Sequence, residues 1–286
     1  MTPLIFVARH GSWVLVAGLC AGLAMPSLAQ YLLAWIPQMV VALLFLAVFR
    51  MDPGNIAGSL KELPSVAFTA LGLQLVLPLV IVAGAYALGR VDTTVVTAMV
   101  VMSAAPSIVG SPTLCILLGR SPVFAMRLLL VGTALLPITI LPVFLLLPRL
   151  GDVQGVLFAS LRLLGAIVIT ASVAGGLRRA FLPTPTTRQL AALEGISAIA
   201  LAVFVVGLMS PLADMIFSAP RVAAFWLVIA FAVNFGLQIA FYLLLRSRVS
   251  PDHAFAVSLI AGNRNVSLFL VGLAPAVVAP ILVFVA

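Results

Sequence analysis

Charge is what this sequence has least of. Only 8% of its 286 residues are charged, against about 25% in a soluble domain, too few to clothe a water-facing surface. Histidine occurs twice, as His10 and His253, and no HExxH motif, paired acids or Ser-His-Asp spacing places a nucleophile beside a base, so an enzyme is not expected. Cys20 and Cys115 both fall inside apolar runs with no metal-ligand spacing, which excludes a disulfide framework and a zinc site. No stretch is long and polar enough for an attached soluble domain. The longest connections, around Asp52–Glu62 and Arg178–Arg188, have about ten residues.

What is present is apolar. Hydrophobic residues make up 64% of the chain, the mean hydropathy is +1.32, and runs of roughly 20 residues, the length that spans a bilayer, recur from end to end. The expected class is an all-α polytopic membrane protein with the lipid bilayer as its surroundings. The net charge of +8 does not point to nucleic acid, because its arginines lie mostly singly between apolar runs. Arg9, the stretch Trp13–Ala24 and the small-residue run Pro26–Ala29 resemble a cleavable signal peptide, but the chain continues at once into further spans, so a retained first span is expected.

Breaks at charged, Gly and Pro clusters give ten candidate spans: 12–28, 31–49, 64–88, 93–118, 122–148, 154–176, 189–210, 221–245, 253–272 and 275–286, the last shorter than a full span. With the N-terminus inside, the inner loops hold nine basic residues and the outer loops three (Arg90, Arg149 and Arg221). This bias predicts both termini in the cytoplasm. Arg127, Arg162 and Arg264 remain inside spans; Arg127 is expected to snorkel to the inner face.

Two spans carry interruptions. Residues 103–115 read SAAPSIVGSPTLC, with Pro106, Gly110 and Pro112 close together; residues 258–269 read SLIAGNRNVSLF, with Arg264 between Asn263 and Asn265. Prolines and a glycine at membrane depth predict unwound backbone, tolerated only where it is buried in protein or lines an aqueous cavity. The two lie in corresponding places, fourth of the first five spans and fourth of the second five, as in an inverted-repeat secondary transporter whose site is marked by interrupted helices. On that reading residues 1–150 and 151–286 form the two repeats. Half-helix N-termini at the breaks suit a carboxylate, and an intramembrane Arg264 requires an anionic partner. That partner is either a substrate or, within the protein, Glu194.

These landmarks resemble the bile acid:sodium symporter family. Besides the two breaks, FTALGLQLVLPL at 68–79 is similar to the family's third helix, TALLPITILP at 133–142 to its fifth, and AVNFGLQ at 232–238 loosely to its eighth. The resemblance implies a core of helices 3–5 and 8–10 with two crossing broken helices, a panel of helices 1, 2, 6 and 7, substrate binding between them, and a bacterial inner-membrane location. It implies substrate-binding roles for Ser107, Val109, Gly110, Ser111, Pro112, Asn263, Arg264 and Asn265, and ion-binding positions at Gln74, Ser111, Ile260 and Arg264. Ile260 stands where the family has a sodium-binding Glu, Arg264 where it has a Gln, Pro112 where it has an Asn, and Ala125 and Leu129 where it has hydroxyls. Sodium needs several oxygen ligands, so the expected function is alternating-access transport of a small organic anion, with Arg264 standing where a sodium ion would sit. The alternatives are a sodium-coupled organic anion symporter with an altered ion site and a non-transporting, receptor-like membrane protein.

Overall fold

The computed structural model describes residues 3–50, 63–147, 153–272 and 281–285. Every regular element among them is helical, as apolar runs without water to satisfy their backbone require. In chain order the helices are α1 (Pro3–Arg9), α2 (Gly11–Ala24), α3 (Pro26–Leu33), α4 (Ile36–Arg50), α5 (Leu63–Leu71), a π-helical stretch Gly72–Val76, α6 (Leu77–Ala87), α7 (Thr94–Ala104), α8 (Ser111–Leu117), α9 (Val123–Leu145), α10 (Val153–Phe181), α11 (Thr187–Leu208), α12 (Ser210–Ser218), α13 (Pro220–Leu245), α14 (Pro251–Gly262), a 3-10 turn Val266–Leu268, α15 (Phe269–Gly272) and α16 (Leu282–Val285).

Their starts follow from local chemistry. Thr93 caps α7 by accepting from the Val96 N–H at 3.3 Å, and Thr186 and Gln189 form a capping box on α11. Ser250, Pro251 and Asp252 open α14 with a hydroxyl cap, a preset φ and a carboxylate in the first turn.

Five helical stretches have the length and apolarity to cross a membrane: Leu63–Ala87, Val123–Leu145, Gln154–Phe181, Thr187–Ser218 and Pro220–Leu245. Counting each bent pair as one span raises the number to seven. Ten continuous spans are therefore not what the described residues form. The expected span 12–28 is broken at Met25, where α2 gives way to α3, and the expected span 31–49 is bent, α3 and α4 meeting at 74°; a further bend of 87° between α1 and α2 lies before both. The chain leaves α2 at Met25 because Pro26 disfavours a helical residue before it. The interrupted segments, α7 with α8 and α14 with α15, have halves too short to span alone. The expected tenth span lies outside the described residues except for 281–285, as do the connections 51–62 and 148–152.

The chain divides into two compact units. The first takes residues 1–51, 165–226 and 285–286. Here α1 to α4 pack on α11, and small residues let the backbones approach. A Cβ on Gly18 would sit 2.8 Å from the Ala202 carbonyl oxygen, and one on Gly195 would collide with Leu4. Glu194 pairs with Arg50 at 3.8 Å in this unit.

The second unit takes residues 52–164 and 227–284. Its core gathers Val66, Ala70, Leu73, Cys115, Leu128, Val257 and Ile260, with Phe144 and Phe269 in ring contact at 5.3 Å. Both interrupted segments lie in this unit.

Candidate functional site at the helix crossing

α7 stops at Ala104 because Ala105, preceding Pro106, is extended at φ −67° and ψ 152°. α14 stops at Gly262, and Asn263 is extended at φ −104° and ψ 96°. The two unwound strands then pair. Ser107 and Arg264 face each other across an isolated antiparallel bridge. The Asn265 N–H donates to the Pro106 carbonyl at 2.8 Å, and the Ile108 N–H to the Asn263 carbonyl at 3.2 Å. These two bonds flank a non-hydrogen-bonded pair, the type that brings facing side chains close. No residue of either strand needs a positive φ; among the described residues only Gly89 and Gly119 have one.

Arg264 is 7% exposed, and its donors point into the protein. Nε donates to the Ala261 carbonyl at 3.2 Å, Nη1 to Ala105 at 3.1 Å and Nη2 to Leu73 at 3.3 Å. Each of these carbonyls is orphaned by a different local event. Ala105 caps the C-terminus of α7, where helical carbonyls have no partner. The Ala261 oxygen would ordinarily receive the Asn265 N–H, which goes to Pro106 instead. The Leu73 oxygen would ordinarily receive the Leu77 N–H, but that group bonds Gly72, five residues back. The next donor along a π-helix would be residue 78, a proline with no N–H. One guanidinium, with its five fixed donors, thus satisfies three interruptions at once.

The expected protein partner for that charge, Glu194, belongs to the other unit and pairs with Arg50. Among the described residues Arg264 forms no ion pair with a carboxylate. Three charge–dipole bonds take the place of a counter-ion.

The remaining expected site residues separate into engaged and open groups. Ser107 and Ser111 are buried with their hydroxyls 2.6 Å apart. Gln74 is buried against Gly132 and accepts from the Thr139 hydroxyl at 3.5 Å. Asn263 donates to the Leu259 carbonyl at 2.9 Å, while the Asn265 side-chain oxygen accepts from Ser267 at 2.6 Å. Pro112 is buried; Val109, Gly110, Asn263 and Asn265 are half-buried. Ile260 and Ala125 are fully buried, and Leu129 is 4% exposed. The positions that resemble family ion ligands are thus apolar, occupied by the guanidinium, or engaged in internal hydrogen bonds. The carbonyls of Leu73, Ala105 and Ala261 already receive Arg264, which leaves a hard cation such as sodium few free oxygen ligands at these positions.

The half-helix N-terminus expected to cradle a carboxylate is narrower than anticipated. The Ser111 N–H is engaged by Ile108 and that of Leu114 by Gly110, and Pro112 has none.

The sequence marks AVNFGLQ at 232–238 only as a loose resemblance and gives its amides no site role, yet α13 contributes both: the Asn234 amide donates to the Gly262 carbonyl at 2.7 Å, and the Gln238 amide donates to the Asn234 side-chain oxygen at 2.5 Å. The four-residue spacing of these two amides on one helix face was the available signal. Arg127 is half-buried and Arg162 exposed. Compared with known proteins, the chain matches no family model and no curated protein.

Proposed function

We propose that this chain is a secondary transporter of the bile acid:sodium symporter type that moves a small organic anion across the membrane without sodium, carrying its cation covalently as Arg264. The observation that carries the reading is the buried guanidinium bonded to the carbonyls of Leu73, Ala105 and Ala261 where two broken helices pair. Unwound backbone at membrane depth, buried in protein or lining a cavity, is the arrangement that interrupted transporter helices use to build a substrate site. In this reading the second unit corresponds to the core and the first to the panel, the two halves of the chain are inverted repeats, and both termini are cytoplasmic.

Arg264 acts on the anion through its field, not by direct hydrogen bonding. In a low-dielectric surrounding a fixed charge is felt across several ångströms, and it favours an anion over a neutral substrate of the same shape. Direct contacts come from the half-buried residues around Val109, Gly110, Asn263 and Asn265.

The test has two arms. Purified protein is melted against a panel of organic acids in sodium and in choline buffer, since a ligand of the folded state raises Tm by mass action. An acid that stabilises is then taken into proteoliposomes for counterflow of labelled substrate. Equal shifts in both buffers followed by exchange support the reading. A sodium-dependent shift restores an ion site, and binding without exchange moves the chain to a receptor-like role.

A further inference from the structure

Arg178 is the one side chain among the described residues whose buried nitrogens lack an acceptor: Nε and Nη1 have none, and the residue is only 4% exposed. A buried charged donor without a partner bears its full desolvation penalty with nothing to offset it. Such a group persists where something outside the chain completes it.

Its surroundings name the chemistry. Arg178 lies in the last turn of α10, followed by exposed Arg179 and then, beyond the short link 182–186, by exposed Arg188 at the start of α11. All three belong to the first unit. From Val153 to Leu193 the sequence contains no acid, and the next one, Glu194, is paired with Arg50. The link is held by two prolines and the Thr186–Gln189 capping box, so the arginines sit on a braced turn.

The helix also sets the depth. At 29 residues and 1.5 Å per residue, α10 is about 43 Å long, well beyond the roughly 30 Å hydrocarbon core. The arginine-bearing end therefore emerges at the membrane–water interface. Beside it Leu177 and Phe181 are 37% and 73% exposed, an apolar surface flanking the arginines. Basic clusters at the ends of spans with adjoining apolar surface bind the headgroups of anionic lipids.

We infer that Arg178, with Arg179 and Arg188, binds the phosphate of an anionic phospholipid. Arg178 sits three residues from the end of α10, so a rotamer change carries its guanidinium from its buried position to the headgroup, where Arg's planar donors take two phosphate oxygens.

In lipid-free detergent, Arg178→Gln melts no lower than the wild type, because it removes an uncompensated donor and breaks no internal bond. Phosphatidylglycerol raises the wild-type Tm by several degrees and phosphatidylcholine does not; Arg178→Gln loses most of that rise, and inorganic phosphate at millimolar concentration does not reproduce it. Should Arg178→Gln fail to fold, Arg179→Gln/Arg188→Gln, both at exposed positions, must lower the number of phosphatidylglycerol molecules retained in native mass spectrometry several-fold. A marked loss of Tm for lipid-free Arg178→Gln would reveal an internal partner and overturn the inference. Equal shifts with the two lipids, a retained shift in the variants, or full reproduction by inorganic phosphate would overturn it as well.

Discussion

Arg264 combines two roles that usually fall to different groups. It is the charge at the crossing and the cap for three orphan carbonyls. Arg264→Met removes both, leaving each carbonyl unsatisfied at about 1–3 kcal/mol, so a loss of at least about 3 kcal/mol is expected in SDS or urea unfolding. Arg264→Lys keeps the charge but replaces the planar fork with a compact ammonium; it should recover less than half of that loss. Arg264→Gln should show no sodium-dependent stabilisation, because Ile260 supplies no carboxylate. A sodium-dependent Tm shift in that variant would show that the ion site survives. The importance of Arg264 was legible in the sequence, since a charge amid apolar residues demands a partner. The partners were not legible: a backbone carbonyl has no residue identity, and only the geometry reveals which ones lack donors.

At the scale of elements, the π stretch at Gly72–Val76 and the crossing are one system. Pro78 denies the Leu73 oxygen its remaining donor, and Arg264 supplies it. Pro78→Ala gives that oxygen an N–H of its own, so the contact with Arg264 should weaken. A double-mutant cycle between Pro78→Ala and Arg264→Met should then show coupling of about 1 kcal/mol, read from unfolding midpoints; strict additivity would separate the two features. Glycines give a second contrast. A Cβ on Gly262 would collide with the Asn234 carbonyl, whereas one on Gly110 meets nothing within 4 Å. Gly262→Ala should therefore cost several kcal/mol and Gly110→Ala less than about 1 kcal/mol, its helix propensity offsetting part of any change. Both breaks were readable from Pro106, Gly110 and the polar run 263–265. The bends between α1 and α2 and between α3 and α4 were not, because a hydropathy window measures how long a segment stays apolar and is blind to its direction.

At the scale of the whole molecule, the uneven distribution of arginine predicts an orientation that can be tested chemically. In a Cys20→Ala/Cys115→Ala background, a cysteine at Ser247, between Arg246 and Arg248, should react with an impermeant maleimide only from the cytoplasmic face. One at Asp92, beside Arg90, should react only from outside; the reverse pattern would invert the proposed topology.

The bonds made by Arg264 also impose an order in time. Its partners Ala105 and Leu73 precede it by 159 and 191 residues. While the chain is being synthesised, these two carbonyls enter the bilayer long before their donor exists. Until the ribosome has delivered residue 264, the third and fourth apolar segments are held with these two acceptors open. A chain stopped at Ser250 should accordingly be inserted and then degraded quickly, whereas supplying the remaining residues as a separate polypeptide should prolong its lifetime. The crossing therefore closes only once Arg264 has been made, 159 and 191 residues after two of its acceptors.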